Sequence, residues 1–263
     1  MKKLIFLILI LATAGCAKKE DAPAPSSAPK PKGFSVDPDA VALFDRAAKL
    51  YSGCKTIRLR WKTAQKSSVL TVVTFAFARP ARSYARIYYE SGIDSVYVVD
   101  GNSSWMSQSD DLFGSTYSKE PVLKGDLADT LLHLNAAPGL GGVLFDWLQG
   151  QHQLQPAQIK EMLKSKQNVE VFEAKKLVAA QWKGRSWERV QVRYRLGASK
   201  DMPVRNSTRI FWLSPDNARL VKMEELNIKD EVVETHEIVE QTFNAAISAS
   251  TFVFKIPKGA KKE

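Results

Sequence analysis

Two cysteines and three histidines are all that this 263-residue chain offers to a disulfide framework or a metal site. With the cysteines at 16 and 54, no multi-bridge framework exists, so apolar packing must hold the domain together. His133, His152 and His236 are too scattered to give a metal-ligand spacing. Gly139, Gly141 and Gly142 lack the Lys-Ser/Thr partner of a phosphate loop, and Ser103-Ser104 do not sit in a nucleophile elbow. Asp110-Asp111 reads as a solvated turn rather than an acid–base pair. The sequence is therefore read as a non-enzyme with no cofactor. No internal repeat of a defensible period is present either.

What is present begins at the amino terminus. Lys2 and Lys3 precede an apolar run, Leu4 to Ala12, about half of the ~20 residues that span a bilayer. Small residues Thr13, Ala14 and Gly15 lead into Cys16. This segment resembles a bacterial lipoprotein signal with its lipobox, Thr13 standing where leucine is usual. The resemblance implies cleavage before Cys16, a diacylglyceryl group on its sulfur and acylation of the new amino terminus. The alternative is an ordinary secretory signal followed by a chance cysteine. Ala17, rather than aspartate, resembles the signal for outer-membrane retention in a Gram-negative envelope. Residues 17–33, AKKEDAPAPSSAPKPKG, hold no large apolar group and cannot repay their ordering entropy, so they read as a disordered tether. The chain thus divides into a signal (1–15), a lipidated Cys16 with its tether (16–33) and a single domain (34–263).

That domain of roughly 230 residues is large enough for one substantial core. Formal net charge is +10, and +8 once Lys2 and Lys3 are removed. A basic balance permits anionic lipid, an envelope polymer or nucleic acid, and export disfavours the last. Residues 90–161 carry ten acidic and three basic side chains, residues 162–209 four and twelve, so oppositely charged surfaces are expected unless the fold interleaves the two. Cys54, between a helix end and a strand, reads as a buried small hydrophobe.

Residues 37–52 read as a helix, with Asp37 as cap, Pro38 in the first position and Gly53 at the end. Ala40, Phe44, Ala47 and Tyr51 share its apolar face. Alternation then predicts strands in TIRLRWK, in VLTVVTFAFARP (Val69, Val73, Phe75 and Phe77 on one face), in SYARIYYE and in DSVYVVDGNSSWMSQ. Asp126 caps a leucine-rich helix, residues 138–150 mix Pro138 and glycines with an apolar run, and Pro156 opens another short helix. Alternation resumes after 167: Val190, Val192, Tyr194 and Leu196 point one way, the arginines between them the other. Further strands cover STRIFWLSPDNARLVKMEE, turning at Ser214–Asn217, then EVVETHEIVEQTF and STFVFKIPKGA. The pattern is α+β, a strongly curved antiparallel sheet with short helices on its concave side.

Several stretches in order resemble the superfamily of the periplasmic lipoprotein carrier LolA and the outer-membrane lipoprotein receptor LolB. They are ALFDRAAKLYSGCKTIRL, FAFARPARSYARIYYE, YVVDGNSSWMSQ, IFWLSPDNARLVKMEE and the Phe-x-Phe-x-x-Pro-x-Gly-Ala ending. The resemblance implies an unclosed barrel of about 11 strands around an apolar cavity, with helices lodged in its mouth. Carried onto this sequence, the cavity lining is Val69, Val73, Phe75, Phe77, Val190, Val192 and Tyr194. The lid is Leu140, Val143, Leu144, Trp147 and Leu148, with the glycines before it as hinges or, equally, as parts of a fixed connection. The receptor's exposed hydrophobic loop has its nearest candidates in Leu112-Phe113 and Leu140. The implied function is a non-catalytic, lipid-anchored envelope protein on the periplasmic face of the outer membrane, binding an acyl chain, lipoprotein or other amphiphile. The alternative is a structural, interaction or sensor protein whose cavity is filled by its own side chains and whose partner is an envelope protein or anionic polymer.

Overall fold

Asp37 Oδ1 accepts the amide of Asp39 at 2.9 Å and Pro38 takes the first helical position, so α1 runs Pro38–Ser52 as its capping residues dictate. This helix belongs to a computed structural model that describes residues 35–66, 68–110, 114–122, 127–135, 137–157, 169–196 and 205–263. After α1 come β2 (Thr56–Gln65), β3 (Ser68–Ala78), β4 (Arg82–Tyr89), β5 (Asp94–Val99), β6 (Ser103–Asp110) and β7 (Gly114–Pro121). Two helices, α2 (Leu127–Asn135) and α3 (Gly141–Leu148), interrupt the strands. Then follow β8 (Val169–Trp182), β9 (Arg185–Leu196), β10 (Arg205–Leu213), β11 (Leu220–Leu226) and β12 (Val232–Phe243). Two-residue strands β1 (Ser35–Val36) and β13 (Lys261–Lys262) stand at the chain's ends. Residues 1–34, with Cys16 and the tether, and Leu112-Phe113, Asp126 and most of the helix expected from Pro156 lie outside the described residues.

All thirteen strands form one curved, unclosed sheet in the order β1-β8-β9-β10-β11-β12-β2-β3-β4-β5-β6-β7-β13. The last long strand, β12, pairs with the first, β2, and so joins the two sequential meanders. Neighbours are antiparallel throughout, save β1 on β8 and β13 on β7, where the termini lie parallel along the two edges. A bare strand edge is a template for unwanted pairing, and these short caps blunt both edges. Short turns fix the registers. Lys183 (φ 51°) and Gly184 (φ 73°) take the left-handed pair that a two-residue hairpin loop demands. Asp100 Oδ1 accepts the amides of Asn102 and Ser103 at 2.8 and 2.9 Å.

All three helices lie against one face. Ala40, Leu43, Phe44, Ala47 and Tyr51 of α1 share a single apolar cluster with Ile57, Leu59 and Trp61 of β2 and with Leu131, Leu134, Val143 and Leu144 of α2 and α3. Cys54 is in that cluster, its thiol donating to Tyr51 O at 2.9 Å, and burial pushes the thiol pKa up. The base-rich strands β8–β10 stand apart from β5–β7, but β11 and β12 bring Glu224, Glu225, Glu234 and Glu237 beside them; Arg209 pairs with Glu225 and Lys183 with Glu237, so the fold interleaves the charges.

The carboxyl terminus corrects one expectation. Ser250 to Ala260 is not a strand, although Phe252, Phe254 and Ile256 alternate. A 3-10 turn, Ala249–Phe252, starts a strap across the convex face. Phe252 covers Ala76 and Ala78, and Phe254 stacks on Trp105 with ring centroids 5.1 Å apart. The strands it crosses, β3 to β6, are already paired on both sides, so its aromatics pack on the sheet's surface, and only at Lys261–Lys262 does the chain reach an edge and pair with β7.

Candidate functional site

β3 and β9 present the expected lining toward the helices. Val73, Phe75, Phe77, Val190, Val192 and Tyr194 are all buried within the main apolar cluster. Val69 is the exception, 39% exposed. A bulge that pairs Thr63 with Thr71 but Ala64 with Val69 leaves it on the rim, past the reach of the helices. Leu140, Val143, Leu144, Trp147 and Leu148 are buried over the same face. Trp147 meets Phe44 edge-on at 5.4 Å and the tilted ring of Tyr51 at 5.5 Å, and Phe44 meets Phe211 of β10 at 5.0 Å. The concave face is therefore filled by α3 and α1 in this state.

The segment carrying α3 is held by side chains rather than by sheet pairing. Arg79 donates to Ser52 O (2.7 Å) and Cys54 O (2.9 Å) at the end of α1, and to Leu148 O (2.9 Å) at the end of α3. A cation at two helix carboxyl ends meets unsatisfied carbonyls and the negative end of each helix dipole. Trp61 Nε1 donates to Pro138 O at 3.2 Å. Buried His152 donates from Nε2 to Asp45 of α1 at 2.7 Å, with its Nδ1 accepting the Leu154 amide at 3.3 Å. Burial pulls the His152 pKa down, and the Asp45 carboxylate partly offsets this. Gln153 donates to the Tyr194 hydroxyl at 2.7 Å.

The glycines before α3 permit close packing. Gly139 has φ +72°, and a Cβ there would lie 2.1 Å from His236 Nδ1; a Cβ on Gly141 would lie 2.1 Å from Leu134 O. Gly139→Ala is expected to destabilise the fold by about 2–4 kcal/mol, from backbone strain plus overlap with the imidazole. Urea titration checks this. His236→Ala should recover part of the loss in the double variant, because it removes the obstructing ring.

Toward the rim the concave face turns polar. Arg209 pairs with Glu225 at 2.9 Å and lies over the Tyr194 ring. His236, fully buried, meets Thr63 Oγ1 through Nδ1 at 3.0 Å, and its Nε2 faces Glu234 at 3.3 Å and Glu225 at 3.8 Å. The tautomer with hydrogen on Nε2 suits this setting, since its N–H is directed at carboxylates and Thr63 then donates to Nδ1. Burial, and then Arg209, pull His236 down to about 4. Burial raises Asp146 of α3 to about 6. Thr71 Oγ1 and Arg209 Nε are buried without a hydrogen-bond partner in the chain. Among the described residues no three histidine, cysteine, aspartate or glutamate side chains are arranged to hold a metal ion.

Two depressions lie on the convex face. One, of about 390 Å³, is lined by Arg60, Val72, Thr74, Arg86 and Tyr88. The other, of about 320 Å³, lies among Trp182, Trp187, Val221 and Glu237. Of their cations, Arg60 is engaged with Glu240, Arg86 with Asp94 and Lys183 with Glu237. Neither was expected from the sequence, nor were the roles of Arg79, Asp45, Arg209 and Glu225. Arg79 stood in plain view before Pro80, but its three acceptors are 25, 27 and 69 residues away.

No protein-family model and no curated protein sequence matches the chain. Solved structures of similar fold include MucB, at 15% identity and TM-score 0.46, covering 83% of this chain and 64% of that one. This chain thus spans less than two thirds of MucB, which is also known in complex with MucA of Pseudomonas aeruginosa. LprF from Mycobacterium bovis matches at 12% identity and TM-score 0.42, over 82% of this chain and 97% of its own. A domain provisionally assigned to outer-membrane lipoprotein sorting, from Vibrio parahaemolyticus, matches at 9% and 0.33, over 81% and 97%. The fold assignment itself follows from the sheet order and pairing.

Proposed function

We propose that this is a non-catalytic, lipid-anchored protein of a bacterial envelope, held through Cys16 at the periplasmic face of the outer membrane. It takes an acyl chain, a lipoprotein or another amphiphile onto its concave face when residues 137–157 move aside. One observation carries this reading: an apolar face runs out to a rim where Thr71 Oγ1 and Arg209 Nε are buried and unpartnered. Buried polar atoms without partners are costly, and a ligand with an apolar tail and a polar head satisfies both halves of such a surface. In the closed state α3 stands in for the tail, and polar contacts from Arg79, Trp61 and Gln153 hold it. Such contacts break more readily than a strand ladder.

Native mass spectrometry of protein extracted gently from membranes tests the reading. Co-purified amphiphile, reduced in Thr71→Val, is the expected result. Thr71→Val keeps the volume and removes an unpaired hydroxyl, so it should fold at least as well as the parent. Protein that carries no amphiphile and takes up none from labelled fatty acid overturns the proposal. The filled concave face favours a second reading, a packed interaction domain whose basic β8–β10 half receives an envelope protein or anionic polymer. A ligand-free chain that retains a partner in pull-downs from envelope extracts would support that one.

A further inference from the structure

Large apolar side chains are exposed at Val69, Tyr88, Ile228, Val232 and Val233. These five lie at or beside three hairpins, β2–β3, β4–β5 and β11–β12, which are consecutive along one rim of the sheet. The β11–β12 tip is built to present its apolar group. Asn227 Oδ1 accepts the amides of Lys229 and Glu231 at 2.9 and 3.0 Å, and Asn227 O accepts that of Asp230 at 3.0 Å. Ile228, 82% exposed, is thus held outward by an ordered turn rather than a slack loop. Lys229 stands beside Ile228, and Lys66 (φ 55°) lies in the β2–β3 turn three residues before Val69.

The tether arrives at this same rim. Ser35 pairs with Glu173, Glu173 with Arg193, Arg193 with Thr208, Thr208 with Leu226 and Leu226 with Val232. One line of partners therefore crosses the sheet from the entry of the chain to the β11–β12 hairpin. Five steps of ~4.8 Å separate the two, and 18 residues stand between Cys16 and Ser35, enough chain to cover that distance, so an anchor at Cys16 reaches the bilayer beside these tips. The β8–β9 hairpin, with Lys183 and Arg185, is at the opposite end of the strands.

We propose that this rim rests on the bilayer that holds the anchor, with Ile228, Val232, Val69 and Tyr88 at the level of the lipid headgroups. The opening of the concave face is thereby turned toward the membrane. Apolar groups flanked by lysines are the residues a lipid–water boundary accepts. Glu90, Asp230 and Glu231 share the tips, so the contact is shallow and does not call for anionic lipid. The proposal rests on the anchored reading of Cys16, and its test separates the two.

The acylated full chain is reconstituted in phosphatidylethanolamine–phosphatidylglycerol vesicles containing a doxyl-labelled quencher lipid. An environment-sensitive fluorophore is placed at Ile228→Cys, at Val69→Cys or, as the far-end control, at Arg185→Cys, each in a Cys54→Ser background checked for folding by circular dichroism. Blue-shifted emission at 228 and 69 that the lipid quenches, with emission at 185 remaining aqueous, is the expected result. Aqueous emission at all three sites in protein that floats with the vesicles overturns the rim contact and leaves the anchor intact. Protein that fails to float overturns the anchor, and this proposal with it.

Discussion

Arg79→Leu is expected to lower the stability of the domain by about 3 kcal/mol and to loosen α3 more than any strand. Its guanidinium donates three hydrogen bonds to carbonyls that have no other helical partner, at Ser52, Cys54 and Leu148. A charged donor to such a carbonyl contributes about 1.5–3 kcal/mol, and the orphaned acceptors cost more where water cannot reach them. Partial exposure of Arg79 lets solvent replace some of this, which keeps the total near 3 kcal/mol rather than the full sum. Arg79→Lys should fall between, because an ammonium keeps the charge but cannot fork toward two helix ends. Hydrogen exchange separates a latch from a general prop. Faster exchange of the Leu144–Leu148 amides at a denaturant level where β2 and β3 stay protected is the expected result. Uniform loss of protection would show that Arg79 supports the whole fold and does not gate α3.

Acidification from pH 7 to pH 4 is expected to cost several kcal/mol, and its cause is three imidazoles held neutral. Burial depresses His133 and His236 from 6.5 to about 4, and lowers His152 as well. His133 accepts this burial by stacking on Tyr97 at 4.5 Å and meeting Ser104 Oγ at 2.6 Å. Above pH 6.5 these rings are neutral in both folded and unfolded chains, so they impose no pH dependence. As pH falls below 6.5 the unfolded chain binds protons that the folded one refuses, and stability declines until the folded groups titrate near 4. Each full shift amounts to about 3 kcal/mol, with Glu225 and Glu234 tempering the loss at His236. Asp146 acts in the opposite sense. Its folded pKa of about 6 means that the folded chain takes up a proton first, which returns about 3 kcal/mol as pH drops toward 3.8. Urea titrations at pH 7, 6, 5 and 4 should therefore show a fall that begins before Asp146 offsets it. His236→Gln should flatten the profile by up to about 3 kcal/mol, and an unchanged slope in that variant would assign the effect elsewhere.

The second prediction depends on residues whose importance the sequence concealed, and the contrast with what it revealed is instructive. Asp37, Pro38 and the spacing of Ala40, Phe44, Ala47 and Tyr51 specified α1 to the residue, because capping and helical period act over four positions. Alternation on β3 and β9 identified the buried face, since a strand's two faces follow from the pleat alone. It failed at Val69, where a bulge and the end of helix cover decide exposure, and neither leaves a mark in the local pattern. It failed again at Phe252 and Phe254, whose alternation is that of a strand although they lie across β3 and β6, strands already paired on both sides.

Local pattern therefore determined most of the elements and the apolar face they share, but did not mark β7. Only the tertiary structure decided that β12 closes onto β2, that the two termini cap the sheet's edges, and that Arg79 bridges two helix ends. It alone brought Gly139 against His236, and set Ser35 on the same rim as Val232. The physical reason is range. Propensity, capping and periodicity are properties of neighbours along the chain, whereas a buried donor finds its acceptor, and a glycine its close contact, across separations of tens to nearly two hundred residues.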